Sequence, residues 1–189
     1  MGLGRERRAP AGAAPEVARR TAAVLVPVFR DGAGMLRLVL VVRADRGLHA
    51  GQLGFPGGQA DPADASPLAT ALREAEEEIG LSPAQVEVLA ELEPVQSGPS
   101  RFDVQPFLGR IPGDTPWRLS ADEIVDVLTP WVGDLARPGV RRELLFRSSH
   151  WPEGRLVEGI AVGDHVLWGM TLRLLDPLVP RLLAGEWPL

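Results

Sequence analysis

Arg73-Glu74-Ala75-Glu76-Glu77-Glu78-Ile79-Gly80-Leu81 is the stretch that decides how this chain is read. On a helix of about 3.6 residues per turn, Glu74, Glu77 and Glu78 share one face. Leu68, Leu72, Ala75 and Ile79 line the opposite face as a core stripe. Carboxylates three and four residues apart repel one another by a few tenths of a kcal/mol per pair. They also stand in the last turn before Gly80, a residue type suited to the C′ position, where the negative end of the helix dipole costs each anion ~0.3–1 kcal/mol. A helix arranged for stability alone would carry Lys or Arg there. A divalent cation is the simplest compensation. Oxygen-only ligands, without Cys or a paired His, favour Mg²⁺ or Mn²⁺ over Zn²⁺.

Working outward, Phe55-Pro56-Gly57-Gly58 precedes Gln59-Ala60-Asp61-Pro62-Ala63-Asp64. Paired glycines permit close approaches that other residues forbid. Ser66 and Pro67 make a good N-cap and N1 pair, which predicts a helix over 67–79. The order is therefore glycine loop, acidic turn, capped helix and acidic C-terminal face. A hairpin turn followed by a merely solvated acidic helix is the plain alternative, and the glycine spacing with the apolar stripe weighs against it. Asp61 reads as a turn former, and Asp64 as a turn former or an outer metal group.

Residues 58–81 resemble the Nudix box, Gly-x5-Glu-x7-Arg-Glu-aliphatic-x-Glu-Glu-x-Gly-aliphatic. Arg73-Glu74, Ala75, Glu77-Glu78, Gly80 and Leu81 match in place. Asp64 stands where Glu is usual, and eight residues rather than seven separate it from Arg73. Both departures resemble the branch of the family that hydrolyses coenzyme A. That branch carries an upstream signature of Arg-Ser/Ala, a short basic stretch, His-x-Gly-Gln and Phe-Pro-Gly-Gly. This chain reads Arg43-Ala44-Asp45-Arg46-Gly47-Leu48-His49-Ala50-Gly51-Gln52-Leu53-Gly54-Phe55-Pro56-Gly57-Gly58, one residue short between Arg43 and His49.

The resemblance implies a metal-dependent hydrolase of a diphosphate linkage, that of coenzyme A, with a hydrolase of another nucleoside diphosphate derivative or a non-catalytic nucleotide-sensing module as the alternatives. Such a linkage needs its charge neutralised, a water activated and a leaving phosphate stabilised, which carboxylate-held metal ions can do together. Glu74 and Glu78, one turn apart, are the expected principal ligands; Glu77 adds a further or water-mediated one, and the resemblance adds the Gly57 carbonyl. Arg73 is expected to orient these carboxylates, and Glu76 to face solvent. Glu123 matches the family's acidic residue downstream of the box, as ligand, as general base, or as ordinary strand-edge acidity. Arg43 and Arg46 are the candidate phosphate clamps, since coenzyme A carries a 3′-phosphate besides its diphosphate. His49, as a phosphate contact or a structural hydrogen-bonding residue of a tight loop, and Gln52, Ser97 and Arg101 complete the substrate-binding set. His150 and His165 read as structural or surface residues, and the five Trp residues as packing.

The chain has 189 residues, no Cys and a formal net charge of −5. That length suits one domain with a substantial core. Without Cys, disulfide frameworks, thiolate zinc sites and cysteine nucleophiles are excluded. The negative charge argues against nucleic acid as a partner. All 20 basic residues are Arg, which with the Ala, Gly and Pro content reflects base composition rather than function. No apolar run reaches a membrane span. Residues 1–16 read as a disordered arm without a secretory h-region, and 17–189 as a single domain. The last four residues are no peroxisomal address, so a cytoplasmic protein acting on a small-molecule substrate is expected, with a homodimer left open.

Strand patterns fall at 21–29 and 35–42, joined by a hairpin signal, and at 85–92, 103–111 and 125–128. A short helix follows at 130–135, weaker strands at 143–147 and 165–168, and a closing helix at about 170–183 with Leu172, Leu175, Val179 and Leu182 inward. Pro177 and Pro180 threaten to shorten or kink that helix. Residues 137–165 are otherwise nearly unreadable. This order gives α+β layering; the resemblance supplies the more specific α/β/α sandwich with a mixed β-sheet between helices.

Overall fold

Strand β1 (Arg20–Arg30) organises the computed structural model, which describes residues 20–44, 50–96 and 102–189. Its residues alternate between two cores: Ala22, Val24, Val26 and Val28 face one, while Ala23, Leu25 and Phe29 face the other. A strand buried on both sides must be central, and β1 pairs in parallel with β8 (Phe102–Arg110) from Arg20↔Phe102 to Val28↔Arg110. Strands β2 (Leu36–Leu38) and β5 (Gly57–Gln59) share the other edge of β1, both antiparallel, and β6 (Glu87–Glu91) and β7 (Val95–Gln96) flank β8. The sheet is therefore mixed.

Helix α1 (Pro67–Ile79) packs Ala71, Ala75 and Ile79 into one core, with Leu68 and Leu72 at its margin. Helix α3 (Gly169–Leu183) packs Leu172, Leu174, Leu175, Leu178, Val179 and Leu182 into the other. The sheet lies between the two helices, which is the expected sandwich. Pro177 and Pro180 sit inside α3 without ending it.

One expectation needs correction, and one nearly unreadable stretch resolves into strands. The run 35–42 is not one strand: β2 pairs with β1 as far as Leu38↔Val28, then β3 (Leu40–Arg43) joins a second sheet ordered β4-β3-β9, with β4 Leu53–Gly54 and β9 Ile124–Leu128. The cause is competition for one edge. Beyond Pro27, whose carbonyl accepts from Val39 N–H, that edge passes to Pro56, whose carbonyl accepts from Leu25 N–H, and to Gly57, which pairs with Val24. The glycine segment is accordingly a strand, β5, rather than a free loop. The stretch 137–165 holds β10 (Arg141–Ser148) and β11 (Trp151–Val162), which with β12 (His165–Trp168) form a third sheet after the short helix α2 (Val132–Leu135). Neither face of β11 is continuously apolar, so the twelve-residue strand left no clear period in the sequence.

Candidate active site

Local sequence sets α1 with few choices. Ser66 Oγ accepts from Ala69 N–H at 3.1 Å, Pro67 opens the helix, and Gly80 closes it in the left-handed region at φ 71°. The last-turn carbonyls do not face solvent: Ile79 O accepts from Arg118 N–H and Glu78 O from Ser120 N–H. That tether brings the segment leading to Glu123 against the acidic end of α1. The Glu123 carbonyl in turn accepts from Ala44 N–H at 2.7 Å, beside the end of β3.

Arginines organise the carboxylates. The Arg73 fork meets Asp64, Nε to Oδ1 at 2.9 Å and Nη2 to Oδ2 at 3.0 Å, while its Nη1 reaches Glu77 at 2.8 Å and Glu74 at 3.0 Å. Asp64 also accepts from Asp61 N–H and from the buried Thr70 hydroxyl at 2.8 Å. The Arg73 hydrogen bonds, followed by those of Asp61 and Thr70, hold the Asp64 carboxyl far below the ordinary carboxylate range, and Asp64 holds Arg73 firmly protonated. Asp64 is thus the anchor of Arg73. Thr70 was missed; its signal is its place on the helix turn before Arg73, facing the acidic turn.

Glu78 is 2% exposed. Arg43 Nη1 donates to its Oε1 at 3.0 Å, Gly57 N–H donates to Oε2 at 3.0 Å, and Arg43 Nη2 donates to the Gly57 carbonyl at 2.9 Å. Burial pushes the Glu78 carboxyl upward, opposed by Arg43 and the Gly57 N–H, and Glu74 and Glu123 add repulsion. Half-buried Glu74 is likewise pushed upward by burial, opposed by Arg73. Glu77 and Glu76 are exposed, as is Glu123. Of the substrate-binding set, Arg43 and Gln52 lie in this neighbourhood, whereas Arg46, His49, Ser97 and Arg101 lie outside the described residues.

Both glycines have steric causes. A Cβ on Gly57 would fall 2.3 Å from Ala23 O, at a φ of 149°, and one on Gly58 would fall 2.5 Å from the Glu74 carboxylate. Gly58 thereby leaves a cradle for Glu74. Among the described residues no three acidic or imidazole side chains converge on one point, because Arg73 draws Glu74 and Glu77 while Arg43 draws Glu78. The donor set nevertheless fits a hard divalent ion. It consists of oxygens alone, and a guanidinium cation already bridges the Gly57 carbonyl and Glu78.

The sandwich thus sets an acidic helix against a glycine strand, with oxygen donors that suit a hard divalent ion. The NUDIX domain family matches residues 19–133. The proteins of Salmonella newport (strain SL254) and Salmonella agona (strain SL483) described as "Uncharacterized Nudix hydrolase NudL" are 38% identical over 169 residues, spanning 85% of this chain and 81% of theirs. RenU, a Nudix hydrolase from M. Smegmatis, shares the fold with a TM-score of 0.63 at 16% identity, over 90% of this chain and 89% of its own. The NUDIX domain of Shewanella oneidensis NrtR, solved with ADP ribose, gives 0.57 at 18%, over 90% and 94%. The chain belongs to the Nudix family.

Proposed function

We propose that this Nudix hydrolase cleaves the diphosphate linkage of coenzyme A or its derivatives, giving adenosine 3′,5′-bisphosphate and 4′-phosphopantetheine. One observation carries the reading: the upstream signature and the box share a site. Arg43 N–H donates to the Gln52 carbonyl at 3.1 Å and Gly51 N–H to the Arg43 carbonyl at 3.2 Å, while the Arg43 side chain reaches Glu78 and Gly57. The contact of Arg43, the first residue of the segment, with Glu78 of the box supports the coenzyme A reading.

Glu74, Glu78 and the Gly57 carbonyl are the groups that would hold Mg²⁺ or Mn²⁺, with Glu77 completing the set. Such an ion neutralises diphosphate charge and lowers the pKa of a bound water. Arg73, braced by Asp64, keeps Glu74 and Glu77 in place. Glu123, beside the end of β3 and close enough to repel Glu74 and Glu78, takes the proton of the attacking water. Arg43, Arg46 and His49 bind phosphates, with Gln52, Ser97 and Arg101 along the remainder of the substrate.

Purified protein with Mg²⁺ or Mn²⁺ should be offered coenzyme A, ADP-ribose, NADH, diadenosine polyphosphates and nucleoside triphosphates, with products resolved by mass. Preferential release of adenosine 3′,5′-bisphosphate is expected. Preferential cleavage of another compound would remove the coenzyme A assignment. Glu74→Gln should lower kcat by about 100-fold or more with the fold intact, and full activity would sink the metal site.

A further inference from the structure

The two arginines of the site are held in unlike ways. Arg73 is forked onto Asp64, and Asp64 is itself secured by Thr70 and Asp61. The Arg43 guanidinium instead bonds to the Glu78 carboxylate and the Gly57 carbonyl, the same oxygens assigned above to a divalent ion. Glu78 is 2% exposed and takes its hydrogen bonds from Arg43 and the Gly57 N–H, whereas the Arg43 side chain is 30% exposed. The buried member of the pair is fixed, and the cationic member has a side open to solvent.

We propose that Arg43 is a displaceable counter-cation. It neutralises Glu78 and covers the Gly57 carbonyl while the site is metal-free, and it surrenders both when Mg²⁺ or Mn²⁺ binds. An arginine cannot relieve the conflict by losing its proton, so its guanidinium must move. Its release from Glu78 then makes it available to a phosphate of the substrate, which orders binding as metal first and anion second. This inference rests on the carboxylate metal site of the proposed function. It requires that metal affinity be limited by competition with a side chain of the same protein.

Mn²⁺ binding to the full chain, followed by electron paramagnetic resonance at pH 8 without substrate, tests it with Arg43→Met, Arg43→Lys and Glu78→Gln. Arg43→Met should bind Mn²⁺ at least fivefold more tightly than wild type, while its metal-free form unfolds at a lower temperature. Arg43→Lys, which keeps the charge, should remain close to wild type in affinity. Equal or weaker Mn²⁺ binding by Arg43→Met, with binding still lost in Glu78→Gln, would overturn the displacement and leave the metal site standing. Wild-type binding that is indifferent to Glu78→Gln would overturn both. Should Arg43→Met fail to fold, the Arg43 Nε–H resonance of wild type, assigned by its loss in Arg43→Lys, decides the matter. It should shift on Mg²⁺ addition, and an unmoved resonance in the loaded protein excludes displacement.

Discussion

Gly57 and Gly58 refuse a side chain for different reasons, and the difference separates stability from activity. At Gly57 an added Cβ meets the backbone of Ala23 and Val24, which cannot retreat without breaking the β1–β5 pairing, and the φ of 149° is closed to other residues. Gly57→Ala should cost roughly 2–5 kcal/mol, combining overpacking with backbone strain, read as a shift in denaturant midpoint. At Gly58 the obstacle is the end of the flexible Glu74 side chain. Gly58→Ala should leave the midpoint nearly unchanged and lower kcat/KM about 10–100-fold by displacing Glu74. A loss of stability equal to that of Gly57→Ala would refute the distinction. Asp64 offers a second check at this scale. Its folded pKa lies below the ordinary 3.8, chiefly through Arg73, so its stabilisation is complete above that value and fades as pH falls through the lower folded value. Asp64→Asn should therefore lose stability at pH 7 and show a flatter decline than wild type below pH about 4. Parallel acid curves for the two proteins would show that Asp64 is not linked to folding.

At the scale of elements, what was legible was what is local. The bounds of α1 follow from Ser66, Pro67 and Gly80, each acting within one turn, and its apolar face from spacing alone. The closing helix was readable for the same reason, its inward leucines outweighing two prolines. Division of 35–42 between two sheets was not readable, because it depends on Gly57 arriving at the β1 edge from nearly twenty positions downstream. The grouping of Glu74, Glu77 and Glu78 was visible as a helix face with Arg73 beside it, yet the pairing of Glu78 with Arg43 was not. The Arg43–Glu78 contact joins positions 35 apart, and no periodicity encodes it. The local logic predicts a separable cap: Ser66→Ala should destabilise by about 1 kcal/mol. Its kcat should be unchanged, because Ser66 is exposed at the helix end opposite the carboxylates. A fall in turnover at saturating metal would mean that the cap also positions the acidic turn.

Across the whole molecule, the signature segment is held between the box and the closing helix. On one side the Arg43 guanidinium donates to Glu78 of the box; on the other, the Leu53 carbonyl accepts from the buried Thr171 hydroxyl at 3.0 Å, in the first turn of α3. Gly51 also lies against Ser148 at the end of β10, where an added Cβ would stand 3.7 Å from the Ser148 Cβ. Residues far beyond the box thus fix the geometry of the segment that presents Arg43. Thr171→Val preserves shape and removes the donor, so its cost should be about 1–3 kcal/mol, that of a buried group losing its partner. Because β4 would loosen relative to α3 while the acidic helix stays in place, the expected kinetic signature is a raised KM with kcat nearly retained. Steady-state kinetics at saturating Mn²⁺, alongside denaturant unfolding, decides this: a fall confined to kcat would mean that α3 acts on the carboxylates rather than through the substrate-binding segment.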